Sequence, residues 1–125
     1  MARVLIIEDS PLVVQMLTMV CEMAGHEVAA CMSFAEVPSK LESFKPEVIL
    51  TDLNLPGLRE DNAVEALRKD SELSEAPIII ISGRPKSELE VIAKDSGAQG
   101  ALSKDDGMPV ISQELPLLIE SLLSP

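Results

Sequence analysis

The sequence VILTDLNLPG, which spans residues 48–57, places a carboxylate at the end of an apolar run. The run begins with β-branched and aliphatic residues, which is typical of a strand buried on both faces. Asp52 falls where this strand should end. A carboxylate in that position is costly to desolvate unless a nearby group favours its negative charge. The stretch therefore predicts a buried strand and raises the question of what balances Asp52.

Strand-like and helix-like runs alternate along the rest of the chain. The predicted strands span residues 3–7, 26–32, 47–52, 77–82 and 100–103. The predicted helices follow them at 10–25, 33–44, 62–73, 87–98 and 112–123. This alternation predicts an α/β fold, a single-domain, doubly wound parallel sheet of five strands with helices on both faces.

Capping signals set three of the predicted helix starts, at Ser10, at Ser33 with Glu36, and at Ser87 with Glu90. Pro38 opposes a start at Ser33, because a proline inside the helix would remove a hydrogen bond. The second helix is therefore expected to be short, kinked, or to begin nearer Pro38. Pro116 is expected within the first turn of the last helix.

Composition limits both the size of the fold and its partners. The 125 residues are enough for one domain, which buries about two thirds of the surface of its unfolded chain. Hydrophobic residues make up 46% of the sequence and aromatic residues 2%, so the core must be aliphatic. The net charge of −11 argues against nucleic acid or an anionic membrane as a direct partner.

Several side chains are expected to have structural roles only. Cys21 and Cys31 lie in apolar stretches and are predicted to be buried thiols in a reducing compartment. The methionines of the first helix are predicted to fill the core. His26, the only histidine, is expected to cap the turn after that helix. No membrane-spanning window or signal sequence is present, which predicts a cytoplasmic protein.

Polar side chains follow four of the predicted strands. They are Glu8 and Asp9 after the first strand, Asp52 after the third, Ser82 at the end of the fourth and Lys104 after the fifth. Because ligands of such sheets bind at the carboxyl ends of the strands, these groups are expected to converge. Each one alone would be read as a turn former, a helix cap or a solvated charge. Together they indicate a site.

Three carboxylates without His or Cys companions describe a site for a hard cation. Mg²⁺ fits best, because it is held by one or two carboxylates, waters and a phosphate. A lysine, a serine hydroxyl and a divalent ion together suit the oxygens of a phosphoryl group in transfer. Asp52 is the natural nucleophile, which would form an acyl phosphate.

At these positions the chain resembles the receiver domain of bacterial two-component response regulators. The resemblance covers essentially all 125 residues. Its carriers are VLIIEDS with Glu8 and Asp9, VILTDLNLPG with Asp52, IIIISG with Ser82, and SGAQGALSK with Lys104. Each motif is weak alone, but all four in this order and spacing are specific. The resemblance implies a (βα)5, flavodoxin-like fold.

The resemblance also implies roles for individual residues. Asp52 would accept a phosphoryl group from the phosphohistidine of a histidine kinase or histidine phosphotransfer protein. Asp9, Asp52 and the main-chain carbonyl of Asn54 would ligate Mg²⁺, and Glu8 would act through water. Lys104 would pair with the phosphoryl oxygens and Ser82 would swing to hydrogen-bond them. The face of the fourth helix, fifth strand and fifth helix would then change its preference for a downstream protein target or output domain.

The sequence departs from the family pattern in three places. Ala101 stands where a tyrosine or phenylalanine is usual, and Asp105 replaces a proline that usually follows the lysine. The loop at residues 54–63 is unusual in length or charge, with Asn62 expected to take the left-handed position that glycine commonly fills. Arg84, two residues past Ser82, is expected to alter access to the acyl phosphate.

Residues 1–125 are expected to form one receiver domain without an output domain in this chain. Three main hypotheses follow for its function. The first is a phosphoacceptor switch, for which a homodimer is left open. The second is a degenerate receiver that binds partners without phosphorylation, motivated by Ala101 and Asp105. The third is an aspartate-nucleophile phosphatase, which ranks low because Asn54 occupies the place of the general acid. A nucleotide-binding domain ranks lower still, since no glycine-rich loop follows the first strand.

Overall fold

The computed structural model describes residues 2–55, 63–69 and 76–124. Its five strands form one parallel sheet in the order β2-β1-β3-β4-β5. The strands are β1 (Arg3–Ile7), β2 (Glu27–Cys31), β3 (Val48–Thr51), β4 (Ile78–Ser82) and β5 (Gly100–Ser103). The predicted α/β class and the doubly wound parallel sheet are therefore confirmed.

Helices connect the strands and lie on both faces of the sheet. They are α1 (Pro11–Met23), α2 (Val37–Phe44), α3 (Ala63–Arg68), α4 (Lys86–Ser96) and α5 (Met108–Leu123). Short 3₁₀ turns occupy Phe34–Glu36 and Lys104–Asp106. Of the predicted third helix, residues 62 and 70–73 lie outside the described residues. Residues 56–62 of the loop after Asp52 lie outside them too, and with them the predicted left-handed position of Asn62.

Alternation along the strands divides the core into two layers. In β1, Leu5 and Ile7 pack with α2, α3 and α4, whereas Val4 and Ile6 pack with α1 and α5. Successive side chains of a strand point to opposite faces, so one apolar strand serves both layers. All five residues of β4 are buried, and its run of four isoleucines predicts such a strand. The sheet thus lies between two layers of helices.

The order of the strands reverses between β1 and β3. From β1 the chain moves outward to β2, and it then returns to β3 on the other side of β1. Connections on the two sides lie on opposite faces, which leaves a crevice beyond the carboxyl ends of β1 and β3. Asp9 follows β1 and Asp52 follows β3, so both lie at this crevice.

The start of α1 is as predicted. Ser10 is the N-cap and its Oγ accepts a hydrogen bond from the Val13 N–H at 3.4 Å, while Pro11 occupies the first turn. Ser33 precedes the 3₁₀ turn Phe34–Glu36 and its side chain makes no capping bond, so the capping-box prediction is wrong there. Helix α2 begins at Val37, beside Pro38, which confirms the alternative start.

Two other predicted helix starts are wrong. Helix α4 begins at Lys86 after an N-cap at Pro85, so Ser87 lies inside the helix and makes no cap. Helix α5 begins at Met108, and Pro116 is in its interior rather than its first turn. Prolines at helix starts explain both errors, because the effective start signals were Pro85 and Pro109, each upstream of the expected position.

The two cysteines and the histidine have the environments that the sequence predicts. Cys21 and Cys31 are both buried and free, as predicted. The His26 N–H donates to the Cys21 carbonyl at 3.1 Å, which caps the end of α1. The imidazole adds a contact that the sequence did not suggest, since its Nδ1 accepts a hydrogen bond from the Ala2 N–H at 3.0 Å.

The methionines of α1 do not fill the core. Met23 is 86% exposed, Met19 is 56% exposed, and Leu12 on the same helix is 65% exposed. With the half-buried Met16 they form a stripe at spacings of four, three and four residues, which lies along one face of a helix. The prediction of core filler is therefore wrong, because the sheet takes only Leu17 and Cys21 of this helix into the fully buried core. We call these four residues the α1 stripe.

In the described part of the chain, no helix has both the length and the apolar character needed to cross a bilayer.

Candidate functional site

The three acidic side chains of the predicted site meet at the crevice between β1 and β3. One oxygen from each of Glu8, Asp9 and Asp52 lies within 4.8 Å of the other two. The two strands place them there because Ile7 and Thr51 are paired in the parallel register, so the residues that follow emerge side by side. The predicted convergence of the carboxylates is confirmed.

Glu8 is the buried member of the group, with 2% of its surface exposed. Its Oε1 pairs with the Lys104 ammonium, and its Oε2 accepts a hydrogen bond from the Ser10 N–H at 3.0 Å. Burial raises the pKa of the Glu8 carboxyl, and the hydrogen bond from Lys104 opposes that rise. Both oxygens of Glu8 therefore already have partners.

Asp52 is half-buried and each of its oxygens has a donor. Its Oδ1 accepts from the Leu53 N–H at 2.7 Å, and its Oδ2 accepts from Lys104 Nζ at 3.2 Å. Its own N–H donates to the Ile7 carbonyl at 3.0 Å, which continues the ladder between β1 and β3. The backbone thus holds the Asp52 carboxylate at the crevice. Lys104 supplies the positive charge that balances it at the end of this apolar strand.

Lys104 bridges two carboxylates across the sheet. Its ammonium contacts both Glu8 and Asp52, which precede it by 96 and 52 residues. Burial pushes the pKa of Lys104 down, but the hydrogen bond to Glu8 and the charge of Asp52 outweigh it, so the pKa lies above its ordinary value. The two carboxylates therefore favour the charged form of Lys104, which lies between them.

Asp9 differs from its two acidic neighbours because it is exposed. It lies one residue before the N-cap of α1, and a side-chain hydrogen bond between Asp9 and Glu8 adds to the rise in the Glu8 pKa that burial causes. A negative side chain near the start of a helix is favoured by the partial positive charge there. Asp9 therefore presents its oxygens to solvent at the mouth of the crevice.

Ser82 and Asn54 are the remaining predicted members. Ser82 is buried at the end of β4, and its Oγ accepts a hydrogen bond from the Arg84 N–H at 3.4 Å. Asn54 follows Asp52 by two residues and is exposed. The structure brings Glu8, Asp9, Asp52 and Lys104 into contact; Ser82 lies one strand away, paired with Ser103 across β4 and β5.

The sequence reasoning missed one polar residue near the site. Ser103 is buried, and its Oγ donates to the Arg84 carbonyl at 2.7 Å and accepts from the Asp105 N–H at 3.2 Å. A serine directly before Lys104, at the end of a strand, was the signal that could have identified it. Its hydroxyl connects the loop after β4 to the turn after β5.

The donor set fits a hard divalent cation. Carboxylate oxygens within 4.8 Å of one another can be bridged by a single ion, and Mg²⁺ and Ca²⁺ prefer such oxygen ligands. Lys104 offsets only part of the charge of three carboxylates, and a divalent cation would offset the rest. Glu8, Asp9 and Asp52 together could therefore hold a metal ion.

This fold and this site together define a class: a doubly wound sheet with an acidic pocket and a lysine at its carboxyl edge. The profile of the response regulator receiver domain matches residues 4–115. Protein PilH of Pseudomonas aeruginosa is 34% identical over 124 residues, which are 99% of both chains. The structure of the chemotaxis response regulator CheY4 of Vibrio cholerae aligns with a TM-score of 0.78 and 28% identity, over 94% of this chain and 98% of that one.

The chain belongs to the response regulator receiver domain family, and it is a receiver domain of two-component signalling. Two further relatives are longer than the match. The transcriptional regulator RpaA of Synechocystis is 26% identical over 98% of this chain, which spans 49% of that protein. The sensor histidine kinase TmoS of Ectopseudomonas mendocina is 28% identical over 98% of this chain, which spans 12% of that protein. Receiver domains thus occur both alone and within larger proteins.

Proposed function

We propose that Asp52 is the phosphoacceptor of this receiver domain. The observation that carries the proposal is the contact of one lysine, Lys104, with both Glu8 and Asp52 in the crevice between β1 and β3. An Asp52 oxygen attacks the phosphorus atom of a phosphohistidine, the O–P bond forms, and the P–N bond breaks. The imidazole leaves with the electron pair of that bond, and the product is an acyl phosphate on Asp52.

The proposed cofactor is Mg²⁺, with Asp9, Asp52 and the main-chain carbonyl of Asn54 as direct ligands and Glu8 acting through water. The exposure of Asp9 and the position of Asp52 at the crevice support direct ligation by these two carboxylates. Glu8 is buried and its oxygens already accept hydrogen bonds from Lys104 and the Ser10 N–H. When bound, Mg²⁺ would neutralise charge on the phosphoryl oxygens during transfer.

Lys104 and Ser82 are proposed to bind the transferred group. The ammonium of Lys104 is 3.2 Å from Asp52 Oδ2, so a phosphoryl group on Asp52 would bring its oxygens within reach of the same cation. The Ser82 hydroxyl is held by a long contact of 3.4 Å from the Arg84 N–H. Such a contact is weak, so the hydroxyl can turn towards a phosphoryl oxygen at small cost.

The proposed donor is a histidine kinase or a histidine phosphotransfer protein, and the proposed location is the cytoplasm. The α1 stripe supports a helical partner, because it begins at Leu12, three residues after Asp9, and exposes apolar side chains at helical spacing. The proposed recipient of the signal is a downstream protein target or an output domain. Ala101 lies on β5 beside a surface groove between α4 and α5, in place of the usual aromatic side chain.

The test is phosphorylation with a small donor. The purified protein is incubated with acetyl phosphate and Mg²⁺, and intact-mass spectrometry counts the phosphoryl groups added. We expect one group, which hydroxylamine removes because an acyl phosphate is a reactive acid anhydride. Addition of a chelator should prevent labelling.

Asp52→Asn should abolish the label, and Asp95→Asn is the matched control. Asp95 is an exposed aspartate on α4 outside the cluster, so its substitution should leave labelling unchanged. Absence of label on the wild-type protein with any small donor would refute the proposal and favour a receiver that works without phosphorylation. Continued release of phosphate from a phosphomonoester over many turnovers would instead indicate a phosphatase.

A further inference from the structure

The end of β5 carries a buried hydroxyl that the phosphoryl chemistry above does not use. Ser103 is 1% exposed and is the register partner of Ser82 across the two parallel strands. Its Oγ donates to the main-chain carbonyl of Arg84 at 2.7 Å, in the loop that leads from Ser82 into α4. The hydroxyl therefore ties the end of one strand to the loop that follows its neighbour.

The same oxygen also accepts a hydrogen bond. The Asp105 N–H donates to Ser103 Oγ at 3.2 Å, and Lys104 lies between these two residues. On the other side, the Arg84 N–H donates to Ser82 Oγ at 3.4 Å. A continuous path runs from the Ser82 hydroxyl through the Arg84 residue to the Ser103 hydroxyl, and from there to the turn that contains Lys104.

The residue types explain why this path exists in this chain. A serine hydroxyl donates one hydrogen bond and accepts others, so a single side chain can serve both Arg84 and Asp105. The donor at position 105 is a main-chain N–H, which a proline would lack. The replacement that departs from the family pattern at Asp105 thus supplies the second half of the link.

We propose that Ser103 is a positioning residue that couples the two loops of the phosphoryl site, Ser82 to Arg84 on one side and Lys104 to Asp105 on the other. This inference rests on the proposed function of Asp52. When Ser82 turns towards a phosphoryl oxygen, its weak contact with the Arg84 N–H is released. The backbone of Arg84 then moves, and the hydrogen bond that the Ser103 hydroxyl donates to the Arg84 carbonyl carries that movement to the turn of Lys104.

The coupling has a measurable signature, because two groups that act through one path do not contribute independently. Loss of Ser103 should prevent Ser82 and Lys104 from closing on the phosphoryl group together. Removal of the Ser82 hydroxyl already breaks the chain of hydrogen bonds at one end. Removal of the Ser103 hydroxyl as well should then weaken binding of a phosphoryl mimic only slightly further. If the two substitutions acted independently, the factors by which each weakens binding would instead multiply.

The first arm of the experiment uses metal-free protein and tests the link itself. Solvent exchange of the Asp105 amide is measured by NMR in the wild-type protein, in Ser103→Ala and in Ser103→Thr. We expect exchange about tenfold faster in Ser103→Ala, since a hydrogen bond of ordinary strength is lost, and near wild-type exchange in Ser103→Thr, which keeps the hydroxyl. Unchanged exchange in Ser103→Ala would overturn the proposal.

The second arm measures the affinity for beryllium fluoride with Mg²⁺, which mimics a phosphoryl group on a carboxylate. Ser103→Ala should weaken binding about fivefold to tenfold, which is the loss of one hydrogen bond, and Ser103→Thr should restore it. Ser82→Ala combined with Ser103→Ala should bind within about twofold of Ser82→Ala alone. Urea unfolding of each variant shows whether the loss is one of stability instead.

The outcomes separate the coupling from the proposed function. If the wild-type protein binds no beryllium fluoride at any Mg²⁺ concentration, the phosphoacceptor proposal and the coupling both fall. If the wild-type protein binds beryllium fluoride and the weakening factors of the two substitutions multiply, the coupling alone is refuted. A weakening in Ser103→Ala that Ser103→Thr does not restore also overturns the role of the hydroxyl.

Discussion

Asp9 offers a direct test of the charge balance in the acidic cluster. It is the exposed member of the cluster. Lys104 donates hydrogen bonds to Glu8 and Asp52 and offsets their charges, but it donates none to Asp9. Asp9→Asn keeps the shape of the side chain and removes one negative charge. We expect this variant to be more stable than the wild-type protein without divalent cations, and to lose the stabilisation that Mg²⁺ provides.

The magnitude follows from the distance between the carboxylates. One oxygen of Asp9 and one of Asp52 lie within 4.8 Å of each other. At that limit two unit charges repel by about 0.9 kcal/mol in water and by about 3.5 kcal/mol at an effective dielectric constant of about 20. Asp9 remains beside Glu8 in the unfolded chain, so folding adds mainly its repulsion with Asp52. Because Asp9 is exposed, we expect Asp9→Asn to raise the free energy of unfolding by about 1 to 2 kcal/mol.

Thermal unfolding measures both effects. For a chain of 125 residues, 1 kcal/mol corresponds to about 4 °C in the midpoint of unfolding, so the metal-free variant should melt about 4 to 8 °C higher. Mg²⁺ at about ten times its dissociation constant should stabilise the wild-type protein by about 1.4 kcal/mol. Circular dichroism melts with chelator, and with MgCl₂ at matched ionic strength, give the two values.

Asp95→Asn is the control for the loss of one negative charge from a strongly acidic protein. It should shift the midpoint little in chelator and should keep the full response to Mg²⁺. The reasoning would be refuted if Asp9→Asn were no more stable than Asp95→Asn in chelator. An undiminished response of Asp9→Asn to Mg²⁺ would refute it equally.

Three further outcomes follow from burial. Burial raises the pKa of Cys21 to about 12 and that of Cys31 to about 11, so iodoacetamide at pH 8 should label neither thiol until urea unfolds the chain; rapid labelling of the native protein would contradict this. Burial lowers the pKa of His26 from its usual 6.5, so the contribution of His26 to stability is complete above pH 6.5 and declines as the pH falls. His26→Gln should therefore flatten the decline in urea midpoints between pH 7 and pH 5. Ile80→Ala, in a fully buried position of β4, should cost about 2 to 5 kcal/mol in urea unfolding, whereas Val91→Ala on the exposed face of α4 should cost less than about 0.5 kcal/mol; similar losses for both would show that burial does not determine the cost.

The sequence alone was sufficient for the sheet and for the members of the acidic cluster. Uninterrupted apolar runs such as residues 78–81 are buried in an interior strand of the sheet. In a parallel sheet all carboxyl ends lie at one edge, so Asp9 and Asp52 could be brought together from their position after strands alone. These properties depend on local pattern and on a topological rule, and neither requires knowledge of side-chain packing.

The tertiary structure alone decided which faces are covered and how the polar groups pair. The α1 stripe has the spacing of a core face, but the sheet buries the opposite side of α1, so Met19 and Met23 point into solvent. Ser87 has the spacing of a cap, but Pro85 starts the helix earlier. Residues far apart in the chain, such as Lys104 with Glu8 or Ser103 with Arg84, form their contacts only after the strands pack side by side. Local patterns carry no information on such distances, and that is the physical reason why the fold was needed to find them.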